Sequence, residues 1–258
     1  MSHDLLSIGS GSIVGFALGL LGGGGSILAV PLLVYVVGVR SPHVAIGTSA
    51  LAVAANAFAN LFAHSRAGNV KWPCAVVFAL SGITGAAVGA QLGRMIDGQK
   101  LLFLFGLVML AVAGAMFSPR AAAGDSGVRI NPKIATRLIG AGLATGLLSG
   151  FFGIGGGFLI VPAIMLGSGM ATINAVGSSL VSVGAFGLTT AISYALAGQV
   201  DWRIAGLFVL GGIGGGLVGV MLAGRLAAQR ALLTRVFASV VVAVAAFVLW
   251  RSAPAFFG

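Results

Sequence analysis

The residues best suited to chemistry in this chain are glycines, and they come in two copies. "LLGGGGSILAVP" (20–31) and "FFGIGGGFLIVP" (151–162) each set a glycine cluster ahead of a proline inside an apolar run. In a helix interior glycine costs about 1 kcal/mol relative to alanine, and proline about 3. Proline lacks an N–H and is tolerated in the first turn of a helix. The spacing therefore predicts helical limbs starting near Ala29 and near Ile160, with residues 22–28 and 153–159 unwound before them. Unwound backbone offers N–H groups, and a helix N-terminus adds roughly half a positive charge. Together they make an anion site without lysine or arginine, and neither copy contains a basic residue. The candidate donors are Gly22, Gly24, Gly25 and Ser26 in the first copy, and Gly153, Gly155, Gly156 and Gly157 in the second. The alternative is that these small residues only let helices pack closely.

More polar groups follow each copy. Thr48 and Ser49 in "GTS", and Ser178 and Ser179 in "GSS", open the next apolar segment. Their hydroxyls could donate to an anion or return bonds to their own helix. Asn56, Asn60 and His64 recur every four residues and so line one side of a helix. Their counterparts Phe186, Thr190 and Tyr194 keep polarity at two of the three places. Polar residues inside a membrane face a bundle interior or a cavity, with hydrogen bonding between helices as the alternative role. His64 is the side chain best placed to carry a proton, because an unperturbed imidazole titrates near pH 6.5.

The elements that must position these residues are membrane helices. Of 258 residues, 59% are hydrophobic and 7% charged, against about 25% charged in a soluble domain. Residues 138–200 contain no charged side chain at all, whereas one helical crossing uses about 20 residues. The class is an all-α polytopic membrane protein. Apolar segments fall at 5–39, 44–65, 72–96, 101–118, 138–168, 173–199, 203–226 and 231–250, with Trp72 and Trp202 at the interface. A polar connecting loop, 118–133, separates a first repeat (1–117) from a second (134–258), together one transmembrane domain.

The repeats match residue by residue. At an offset of 131, Gly22, Gly24, Gly25 and Pro31 meet Gly153, Gly155, Gly156 and Pro162. At an offset of 130, "GNVKW" (68–72) meets "GQVDW" (198–202), and Gly82, Gly85 and Gly89 meet Gly212, Gly215 and Gly219. These last glycines, with Gly93, read as close-packing faces. The first segment holds 35 uncharged residues, about 50 Å as one helix, which exceeds a hydrocarbon core of about 30 Å. A re-entrant hairpin of two half-helices fits better, and such backbone needs protein or a cavity around it. If segments one and five are re-entrant, the basic residues divide nine to five between the two sides; if all eight cross, they divide eight to six. The positive-inside rule favours the first arrangement. Each half then has three full spans, which makes the halves inverted repeats, a transporter arrangement.

Composition also excludes function classes. The net charge of +10 comes from 14 Lys and Arg against 4 acidic residues, and in this setting it reflects basic cytoplasmic loops, not nucleic-acid binding. The single Cys74 rules out an intrachain disulfide and a multi-cysteine metal site. The four aspartates are scattered, and His3, His43 and His64 lack metal-ligand spacing. "GGGLVG" (214–219) has no acidic residue about 20 positions on, and no P-loop lysine follows any glycine cluster. No enzyme, cofactor or metal is expected. The N-terminus lacks a basic n-region and reads as mature sequence.

With both motifs in hand, "GLLGGGGSILAVPLL" (19–33) and "GFFGIGGGFLIVPAI" (150–164), followed by "GTS" and "GSS", resemble the sulfite exporter TauE/SafE family over essentially the whole chain. The resemblance implies a multi-pass transporter of the bacterial inner membrane that moves sulfite, a sulfonate or a similar sulfur-containing anion. It does not name the anion. Its partners would be that small anion and membrane lipids, and a homo-oligomer is left open. An anion channel, an uptake permease of the same fold and a non-transporting membrane assembly protein are the competing readings.

Overall fold

The computed structural model describes residues 2–117, 124–125, 127–153, 157–225 and 230–254. Helix α1 (Ser2–Leu21) runs into a 3-10 helix (Gly22–Leu28), the single α-turn α2 (Ala29–Pro31) and a π-helical stretch (Leu32–Val37). Then come α3 (Pro42–Arg66), α4 (Trp72–Met95) and α5 (Gly98–Phe117). The second half repeats this order with α6 (Pro132–Phe152), α7 (Gly157–Ser168), α8 (Thr172–Leu196), α9 (Trp202–Arg225) and α10 (Arg230–Ser252). Seven helices are long and apolar enough to cross a membrane among the described residues, and Gly98–Gly114 and Leu159–Ser168 are shorter apolar helices.

Helix ends follow from local chemistry. Pro42, Trp72-Pro73 and Pro132 place proline in the first turn of α3, α4 and α6, where its missing N–H costs nothing. Asn131 caps α6 by accepting from the Ile134 N–H at 2.8 Å. Gly22 (φ 71°) and Gly153 (φ 67°) stop α1 and α6 in the left-handed conformation that glycine adopts without a Cβ penalty. Trp72 and Trp202, the first residues of α4 and α9, are exposed as interfacial anchors would be.

Two details differ from the sequence-based expectation. Residues 22–28 are wound as a 3-10 helix instead of being unwound, because i→i+3 bonding satisfies backbone groups that apolar surroundings would otherwise leave unpaired. The second limb starts at Gly157, three residues before Ile160, and Pro162 lies inside it. Both long segments double back. The His3 Nδ1–H donates to the Val37 carbonyl at 2.8 Å, joining the two ends of the first segment, and a Cβ at Gly167 would lie 3.0 Å from Leu138 Cδ2. The outgoing limb α1 has 20 residues, about 30 Å of helix.

Packing interleaves the halves. Helix α1 lies along α9 and α6 along α4, while α3 packs on α8 and α5 on α10. Each of these pairs joins one half to the other, and the set maps onto itself when the halves are exchanged. The α1–α9 seam brings Gly11, Gly15 and Gly19 onto the backbone of Phe208, Gly212 and Gly216, and Gly211, Gly215 and Gly219 onto Ile8, Ser12 and Phe16. The α4–α6 seam repeats this, with Gly146 and Gly150 on Gly82 and Ala86, and Gly85, Gly89 and Gly93 on Leu143, Leu147 and Phe151. A four-residue spacing keeps the small residues on one helix face, so the backbones come into contact. The glycine faces expected from the sequence are these seams.

Adjacent glycines of α9 separate packing from propensity. A Cβ at Gly215 would overlap the Ser12 carbonyl, whereas one at Gly214 meets nothing within 4 Å. Gly215→Ala is expected to lower the thermal midpoint in detergent, an overpacking cost of about 1–3 kcal/mol. Gly214→Ala is expected to leave it unchanged or raise it, by up to about 1 kcal/mol from helix propensity.

Candidate anion site

The two glycine clusters meet. The backbones of Gly23 and Gly157 touch, each occupying the place where the other's Cβ would stand. The 3-10 helix thus packs on the start of α7, where first-turn N–H groups have no partner within the helix. Around this junction the other positions are filled. Gly22 lies against Val176 of α8, Gly153 against Ile46 of α3, and Gly25 against the backbone of Ala17 and Leu18. Gly24 differs: it is half-buried, and a Cβ there would meet only the Leu21 Cβ, at 3.9 Å. Gly155 and Gly156 lie outside the described residues.

The hydroxyls divide into two roles. Ser26 Oγ donates to the Gly23 carbonyl at 2.9 Å and steadies the 3-10 turn. Ser49 Oγ donates to Ile46 O at 2.9 Å and Ser179 Oγ to Val176 O at 2.8 Å. Ser179 Oγ also accepts from the Gly23 N–H at 3.4 Å, which ties α8 to the junction. Thr48 Oγ1 accepts from the Asp201 N–H and Ser178 Oγ from the Lys71 N–H, both at 2.9 Å. These two are equivalent positions, each clamping the loop of the opposite half, a role the sequence reading did not weigh.

The polar stripe of α3 faces elsewhere. Asn56 packs against Gly212 and Asn60 against Gly216, both on α9. His64 Nε2–H donates to the Gly19 carbonyl at 3.4 Å, and its Nδ1 accepts from Asn69 Nδ2 at 3.4 Å. All three are buried along the α1–α9 seam. Both polar atoms of the Asn56 amide, Asn60 Nδ2 and Thr190 Oγ1 are shut from solvent without a hydrogen-bond partner. Ser149 and Ser182 also hold buried, unpartnered hydroxyls. Sequence reasoning passed over them, although each is polar where its counterpart, Leu18 or Ala52, is apolar. Among the described residues no group of His, Cys, Asp or Glu could hold a metal ion.

The profile of the family described as "Sulfite exporter TauE/SafE" matches residues 7–248. The chain belongs to the TauE/SafE family. A "Probable membrane transporter protein" of Xylella fastidiosa (strain 9a5c) is 55% identical, with 96% of this chain and 95% of that protein covered. "Probable membrane transporter protein YunE" of Bacillus subtilis is 28% identical, with 81% of this chain and 84% of that protein covered. No solved structure gives a significant match. This TauE/SafE member is therefore a multi-pass inner-membrane transporter, and the family and its relatives are transporters, not enzymes.

The loop clamps can be tested directly. Thr48→Val and Ser178→Ala each leave a loop N–H without its acceptor, at a cost of about 1–3 kcal/mol where water cannot replace it. Each is expected to lower the thermal midpoint, followed by tryptophan fluorescence in detergent, by a similar amount in the two halves.

Proposed function

We propose that this TauE/SafE protein exports a small sulfur-containing anion, sulfite, a sulfonate or a similar species, as a secondary transporter. The anion binds where the two breaks meet, to first-turn backbone amides of α7, in the space beside Gly24, with the hydroxyls of Ser26 and Ser179 close by. The observation that carries this reading is the backbone contact between Gly23 and Gly157, which brings both glycine clusters to one place. Neither cluster contains a charged side chain, so the attraction for an anion comes from the first-turn N–H groups and the dipole of α7. Aspartates near the junction would repel an anion, and all four lie at the N-terminus or in loops.

The transport domain consists of two inverted repeats, 1–117 and 134–258, joined by the 118–133 loop. This organisation is supported by the cross-paired helices and by the two segments that double back. The side with nine basic residues is cytoplasmic under the positive-inside rule. A monoanion leaving an inside-negative cell gains about 2.3 kcal/mol per 100 mV, so export down that potential needs no further coupling. His64, held between Gly19 and Asn69, is the candidate carrier if protons are coupled.

Counter-flow of labelled sulfite, methanesulfonate and thiosulfate into proteoliposomes tests the reading. Wild type is expected to show saturable, counter-flow-stimulated flux. Gly24→Leu, which has room for a side chain, is expected to cut that flux at least about tenfold, equivalent to about 1.4 kcal/mol, without lowering the thermal midpoint. Absence of flux for every anion, or undiminished flux in Gly24→Leu, overturns it. Non-saturable flux without counter-flow stimulation would identify a channel.

A further inference from the structure

At the end of the molecule where α3 starts and α4 and α8 finish, side chains of α3 and α4 lie beside one ring of α8. Tyr194 of α8 is fully buried. The His43 ring, on the first turn of α3, lies 6.2 Å from it between centroids. Arg94 Cζ, on the last turn of α4, stands 6.0 Å from the Tyr194 centroid. Gln199, in the loop before α9, is bound to the same residue through its N–H, which donates to the Tyr194 carbonyl at 2.9 Å. Tyr194 Oη, His43 Nδ1, Arg94 Nε and Gln199 Oε1 are all closed off from solvent, and none has a hydrogen-bond partner. Among the described residues no carboxylate lies within salt-bridge distance of Arg94.

A buried tyrosine hydroxyl ordinarily finds a partner, and each unpaired buried group carries a desolvation cost. Three at one ring and a fourth on the loop bonded to Tyr194 form an unpaired set: a hydroxyl, a ring N–H, a fixed positive charge and an amide that can present its NH2 once turned. The equivalent place in the other half is different. There His64 and Asn69, the counterparts of Tyr194 and Gln199, bond to each other at 3.4 Å. The Tyr194 cluster also adjoins the second break. Gly47, one turn from His43, packs against Tyr194 and Gln199, and the preceding residue Ile46 lies against Gly153.

We infer that Tyr194, His43, Arg94 and Gln199 form a second, buried oxyanion site beside the junction that takes the same sulfur oxyanion. Arg94 supplies the charge, and Tyr194, His43 and Gln199 supply donors to oxygens that a halide lacks. This inference rests on the anion-transport reading and adds a place where the anion waits on one side of the breaks. A lipid phosphate offers the same chemistry, so the test must separate the two sources.

The probe is sulfite or methanesulfonate, titrated by isothermal calorimetry onto purified Gly24→Leu protein in phosphatidylcholine nanodiscs, where the junction is obstructed. Binding is expected to persist there, with chloride far weaker. Adding Arg94→Gln or Tyr194→Phe is expected to weaken it at least about tenfold, or about 1.4 kcal/mol. Tyr194→Phe removes an unpaired hydroxyl and is expected not to lower the anion-free thermal midpoint; if it does, Arg94→Gln and His43→Gln carry the test. Undiminished affinity in both Arg94→Gln and Tyr194→Phe, or no binding in the Gly24→Leu protein, overturns the inference and leaves the junction reading to its own flux assay. Binding in phospholipid-free detergent that added phosphatidylcholine or phosphatidylglycerol competes away assigns the site to lipid phosphate and also overturns it. Normal flux in Gly24→Leu with anion affinity that depends on Arg94 would instead sink the junction reading and keep this site.

Discussion

Backbone-to-backbone contact along the two glycine seams is the constraint on which the rest of this structure depends. Apolar side chains gain little by leaving lipid for one another, so helices in a membrane associate through close packing and polar contacts. Here that closeness is extreme: a single Cβ at Gly15 would run into Gly212, and one at Gly146 into Gly82. The seams hold α1 and α6, the outgoing limbs that end at Gly22 and Gly153, against helices of the opposite half. With those limbs fixed, the returning limbs can meet at Gly23 and Gly157, where again no side chain fits.

A second layer of polar ties locks the loops. Thr48 and Ser178 reach across to the N–H groups of Asp201 and Lys71, and Ser179 reaches Gly23. These are local, symmetric devices in which a hydroxyl near the start of one helix satisfies backbone in the opposite half. Other polar groups, among them those of Asn56, Asn60, Thr190, Ser149 and Ser182, are buried and unpaired. Such groups mark places where water or substrate has to be reckoned with.

Much of this was legible in the sequence. The four-residue glycine period at 85–93 and 211–219 announced contact faces, and the 131-residue repeat announced two equivalent breaks. That Gly22–Leu28 stays wound was not legible, because glycine propensity describes an isolated helix whereas apolar surroundings penalise every unpaired amide. Nor was the direction of the Asn56–His64 stripe, since helical spacing gives a face but not the neighbour it meets. The partners of Thr48 and Ser178 lie more than a hundred residues away, and no local pattern encodes them. The group around Tyr194 draws one residue from each of four segments, so it has no period to be read.

The interleaving of the halves bears on how the chain is made. Helix α1 emerges before the other described helices, yet the helix it lies along, α9, starts at Trp202. Contacts of such separation are slow to form and leave surfaces unsatisfied meanwhile. During synthesis α1 must wait with its glycine face toward lipid or the insertion machinery until most of the polypeptide has followed. Neither half can complete its own seams alone: the α4–α6 seam can form once α6 has followed, whereas the α1–α9 seam must wait for α9.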